Sequence, residues 1–155
     1  MFSLIIAIVS IALVVALVAA TMYYGGDSLT QGRTTADAAA FVSGAQQIAG
    51  AQAMHLSLTG VVASTVSGGA VGTDLVLDKY LASAPVVKQD AATGGWVLDT
   101  VNRLVTNVAA SSAVCTQVNK NAGVAVAKQS SAVAADFASL PYGCVSATNT
   151  FQFKY

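Results

Sequence analysis

The chain has 155 residues, with seven Lys plus Arg against seven Asp plus Glu and a formal net charge of zero. That balance gives no ground for direct nucleic-acid binding. Only 9% of residues are charged and every acidic residue is Asp, where an ordinary soluble domain is roughly 25% charged; so sparsely charged a surface is prone to associate, which points to a membrane, a polymer or both.

The first element is apolar all round. Residues 1–26, MFSLIIAIVSIALVVALVAATMYYGG, contain no charged side chain. Phe2, Leu4, Ile5, Ile6, Ile8, Val9, Ile11, Leu13, Val14, Leu17 and Val18 supply its bulk. About 20 such residues cross a bilayer as a helix, and the 24 residues before the glycines reach roughly 36 Å at about 1.5 Å each. Tyr23-Tyr24 then stands where interfacial aromatics are expected. A secretory signal fits less well, because it needs a basic start, a shorter apolar core and a small-residue cleavage site. No Lys or Arg precedes Arg33. A retained apolar helix is expected, with a leader already removed upstream of Met1.

Gly25-Gly26 is expected to break this helix, as an ordinary helix end or as a hinge between a buried stem and an exposed body. Asp27 or Ser28 would cap a second helix. Residues 29–58 are Ala- and Gln-rich without Pro, and Phe41, Gly44, Ile48, Ala51, His55 and Leu58 recur at three- and four-residue steps. That stripe predicts one face of an amphipathic helix. The first third is therefore expected to be one long helix of about 55 residues, interrupted near Gly25-Gly26.

Thr59-Gly60 and Ser67-Gly68-Gly69 are breakers. Residues 74–82 read as a short helix ended by Ala84-Pro85. Residues 88–95 read as a turn, 96–98 and 102–108 as strands, and 111–122 as a short helix around Cys115, Val118 and Asn119. Residues 132–140 are open between helix and strand. Residues 150–155 (TFQFKY) alternate, with Phe151, Phe153 and Tyr155 on one side, and predict a terminal strand covering a core. In an exported chain the two cysteines, Cys115 and Cys144, predict one disulfide. It would close a loop of about 30 residues and contribute roughly 3–4 kcal/mol.

No constellation carries chemistry. His55 is the only histidine and has no local Asp or Cys partner, so packing is the expectation rather than catalysis or metal binding. No GxSxG, GxGxxG or GxxxxGK[ST] occurs. Trp96, beside Val97 and Leu98, reads as core. No catalytic, cofactor-binding or metal-ligating residue is predicted, and no enzyme.

In outline the whole chain resembles a mature type IV pilin. The residues that carry the resemblance are the stem MFSLIIAIVSIALVVALVAATMYY, its continuation GGDSLTQGRTTADAAAFVSGAQQIAGAQAMHLSLTG, and the pair Cys115 and Cys144 bounding the C-terminal region. VCTQVNKNAG and a first residue of Met are similar to the type IVb and conjugative branch. The resemblance implies an α+β fold: a long N-terminal helix, apolar stem plus amphipathic half, on a small antiparallel sheet. It implies a stem over 1–26 and a head over 27–155 that includes the second half of the helix. It also implies a homopolymer built through the stem, a pool in the cytoplasmic membrane before assembly, an assembly machinery as partner, and an extracellular pilus. Met1 is then the processed, methylated N-terminus. One departure stands out: such pilins carry Glu at the fifth mature position, and this chain has Ile5. A minor pilin or secretion pseudopilin, a single-pass anchored periplasmic binding domain, a secreted enzyme and an all-helical pilin are the alternatives.

Overall fold

The computed structural model describes residues 2–87, 95–108 and 111–155. Met1 and the turn expected over 88–95, apart from Gly95, lie outside them. The chain divides into two compact units between Thr34 and Thr35. The architecture is α+β, as expected, and a four-stranded sheet rules out the all-helical alternative.

Helix α1 runs Phe2–Thr59. The expected break at Gly25-Gly26 is absent, and Asp27 and Ser28 lie inside the helix rather than capping a second one. Two glycines cost about 1 kcal/mol each relative to Ala, but ending one helix and nucleating another costs more. The Thr30 hydroxyl donates to the Gly26 carbonyl at 3.0 Å, so even there the turn is tied to the next. α1 ends where expected, with Gly60 at φ +72 returning its N–H to the Leu56 carbonyl at 2.9 Å.

In the second unit α1 is one-sided. Ala38, Phe41, Ala45, Ile48, Ala51, Gln52 and His55 are buried, the i, i+3, i+4 face of a helix. Gly44 belongs to that face for a steric reason: a Cβ there would come within 2.9 Å of the Trp96 ring. Leu58, expected on the stripe, is exposed, because the helix stops one residue later.

The sheet lies against this face. Strands β1 (Val97–Asp99), β2 (Leu104–Asn107), β3 (Tyr142–Val145) and β4 (Thr150–Lys154) are all antiparallel in the order β1-β2-β4-β3. Pairing of Leu98 with Val105, Val105 with Phe153, and Phe153 with Tyr142 puts these side chains on one face, because side chains opposite each other share a face. Phe151 and Cys144 join them two residues along. Phe41 meets Phe151 and Trp96 with ring centroids 5.6 and 6.0 Å apart. Trp96 is core, as expected, and its indole N–H donates to the Pro85 carbonyl at 2.8 Å. Strands β1, β2 and β4 fall where the sequence places them. β3 does not, and two short 3-10 turns, Val126–Lys128 and Ala134–Phe137, occupy the stretch before it.

Helix α2 (Ser112–Ala122) matches its expectation within one residue. The Ser111 hydroxyl accepts the Val114 N–H and Gly123, at φ +87, closes the C-terminus. The helix expected over 74–82 is replaced by consecutive turns. Asp78 N–H reaches the Asp74 carbonyl as in a helix, but Tyr80 and Leu81 both return to Leu75, and Lys79 sits at φ +62, outside helical space.

Candidate assembly surface

The candidate functional surface is the first half of α1. Every described side chain from Phe2 to Tyr23 is exposed. The eleven stem residues named from sequence range from 48% exposed at Val18 to 84% at Phe2. Ser10 and Thr21 turn their hydroxyls back to the Ala7 and Val18 carbonyls, each at 2.9 Å, so neither needs water. By length and composition the helix can cross a membrane. Isolated exposed apolar side chains are normal on a protein surface, but an unbroken apolar patch of this extent marks an interaction surface. On the second unit, exposed Val71, Val86, Val101 and Val126 stand apart in sequence.

Among the described residues, nothing beyond the local helix lies within 4 Å of where a Cβ would stand at Gly25 or Gly26, so no close approach among them requires glycine at either position.

The two cysteines form the expected disulfide. Cys115 on α2 joins Cys144 on β3 with Cα atoms 5.3 Å apart. Beside it lies a latch that sequence reasoning placed on the right helix without its role. Buried Asn119, one turn after Cys115, accepts the Cys144 N–H at 2.8 Å and donates to the Cys144 carbonyl at 2.9 Å and the Gln129 carbonyl at 3.0 Å. Its signal was a polar residue at i+4 from a buried Cys on an otherwise apolar face.

His55 is built into the packing of this arrangement. It is fully buried, with Nδ1 2.8 Å from the Val61 carbonyl, Nε2 3.4 Å from Asp78 Oδ2 and Tyr80 edge-on to the ring at 5.0 Å. It ties the end of α1 to the loop over residues 60–81. Asp74 organises that loop. Its Oδ1 accepts the Val76 and Leu77 N–H groups at 2.8 and 3.0 Å, and its Oδ2 accepts from Gly69 and the Thr65 hydroxyl. Burial pushes the Asp74 carboxyl up, but the donors from Leu77, Gly69, Val76 and Thr65 outweigh it and hold the carboxyl below its ordinary value. The sequence offered a signal here too, since an Asp accepting from the second and third following N–H groups opens a turn as readily as a helix.

No family model matches this chain, and no curated protein and no solved structure matches it.

Proposed function

We propose that this chain is the structural subunit of an extracellular helical filament of the type IV pilus kind. It waits in the cytoplasmic membrane and is passed to the fibre by an assembly machinery. The observation that carries the reading is the pairing of two halves in one helix: a stem exposed and apolar on every side, and a second half built into a disulfide-closed α+β head. The apolar side chains of the stem stay uncovered within the chain. In lipid its backbone is satisfied internally, as a membrane requires. In a bundle of identical stems the same surface stays out of water, so the transfer exchanges one apolar surrounding for another. A contact that repeats without closing gives an open fibre. Ile5 leaves the stem without an acidic group, so stem packing here rests on apolar contact, and charge neutralisation at the N-terminus takes another route. Gly25 and Gly26 serve, in this reading, as a point where the stem can bend as subunits pack.

The test is negative-stain electron microscopy of material sheared from producing cells, with N-terminal mass spectrometry on the same sample. Filaments built of this chain starting at Met1 are expected. Intact chain in the membrane fraction without filaments would replace the reading with a single-pass anchored domain. A start near Thr21 would replace it with a secreted protein.

A further inference from the structure

The sheet has a second face, turned away from α1, and it carries a cleft of about 480 Å³. Its making is local. Gly143 has no side chain, and a Cβ there would fall 2.2 Å from the Phe137 ring. Phe137 therefore sits directly over β3 and raises the turn Ala134–Phe137 as a wall beside the outer sheet face. Asp99, Leu104 and Lys154 form one cross-strand row, since Asp99 pairs with Leu104 and Leu104 with Lys154. Gln152 lies in the next row. These four, with Asn102, line the open side of the cleft.

The cleft is set before any ligand arrives. Asp99 Oδ1 accepts the Val101 and Asn102 N–H groups at 3.0 and 2.9 Å, and Oδ2 accepts the Asn102 amide at 2.7 Å. The Lys154 ammonium donates to the Ala138 carbonyl, and Asp136 ties the far wall through Lys128 and the Val133 N–H. Both charges at the ends of the row are thus already engaged. Lys154 keeps two further N–H donors, and the neutral groups with open capacity are the second N–H and the carbonyl of Asn102 and the half-buried Gln152 carboxamide, which makes no side-chain hydrogen bond among the described residues.

The ligand class follows from what each alternative would meet. An anion would face Asp99 and a cation Lys154. A wholly apolar molecule would strip water from four polar side chains without replacing their bonds. A neutral ring with hydroxyls at its rim and C–H groups on its face suits an apolar floor and wall edged by carboxamides. We propose that this outer-face cleft binds a neutral saccharide unit, with Gln152 and Asn102 as the hydrogen-bonding residues and the part-exposed Leu104 and Leu140 of its lining as the apolar contacts. The inference stands apart from the filament reading.

The test uses the full chain in zwitterionic detergent micelles free of sugar headgroups. Amide 1H–15N spectra are recorded against glucose, galactose and N-acetylglucosamine, with glycine and inorganic phosphate as comparison probes. Saturable shifts with at least one saccharide, confined to residues 99–104, 137–140 and 152–154, are expected. Gln152→Ala, a partly exposed site whose loss leaves the remaining spectrum in place, should weaken that binding at least about fivefold. Three results would overturn the proposal: no shift at about 100 mM of any of the three sugars, a hundredfold above a 1 mM Kd; shifts that Gln152→Ala leaves unchanged; or shifts with glycine or phosphate and none with sugar.

Discussion

One helix holds two kinds of surface. Over residues 38–55 α1 buries a single face, on which Phe41 and Ile48 are fully covered, while Gln46 and Gln47 stay exposed. Over residues 2–23 it buries nothing, although those residues are the more apolar. The contrast separates two uses of hydrophobicity. In the second half apolar side chains specify a fold, because they share one core cluster with residues of the sheet and α2. In the first half the apolar side chains stay exposed, and in the proposed filament they specify only a surrounding.

The largest test of that contrast places a charge in the stem. Ile8→Asp or Leu13→Asp should abolish filaments, since an acidic residue at the centre of a membrane helix costs about 2.5–3.5 kcal/mol. The head should keep its thermal transition. Normal fibre yield on micrographs would break the comparison from the stem side. Phe41→Ala is the converse change. It should destabilise the head by about 3–5 kcal/mol in denaturant titration while the chain still partitions to the membrane fraction; a loss under about 1 kcal/mol would deny the helix–sheet core its role.

Asp74 sharpens the comparison within the head. Its folded carboxyl is held below its ordinary value, so its contribution is fully present above about pH 4 and is lost as the pH falls through the folded value. Asp74→Asn should cost about 1–3 kcal/mol at pH 7 and flatten the acid limb of stability followed by circular dichroism. An unchanged acid limb would place the acid sensitivity elsewhere. The smallest effect is expected from Gly25→Ala with Gly26→Ala. Helix propensity rises by about 1 kcal/mol per site, and no side chain beyond the local helix among the described residues opposes the change. If the pair serves bending, helical parameters measured by cryo-electron microscopy should shift; unchanged parameters would remove that role.

Much of the fold was legible where local pattern and tertiary demand agreed. Phe151, Phe153 and Tyr155 alternate because β4 has one covered face, and Ser111 and Gly123 bracket α2 as cap chemistry requires. The errors have physical causes. Asp74 opens a turn with the same N–H bonds it would use to cap a helix, and only Lys79 at φ +62 ends the resemblance. β3 is hidden by Pro141 before it and Gly143 within it, both poor strand signals; its place depends on pairing with β4. Gly25-Gly26 reads as a break by propensity, yet the continuous helix overrides it. The stem was legible as a surface because its apolar run is unbroken. The outer cleft was not, since its residues come from three separated segments and meet only through strand register and the packing of Phe137 over Gly143.

Asn119 carries a consequence for the head as a neighbour of its own copies. β3 is an edge strand, and an unpaired edge is a template for another chain. The Cys144 N–H and carbonyl face that edge, and one carboxamide occupies both, while the Ser146 N–H is taken by Ala132. Heads crowded at the density of a fibre would otherwise be free to zip edge to edge into amyloid-like stacks. In the proposed filament, a β3 edge engaged from within at Cys144 and Ser146 would leave order among copies to the stems rather than to edge pairing.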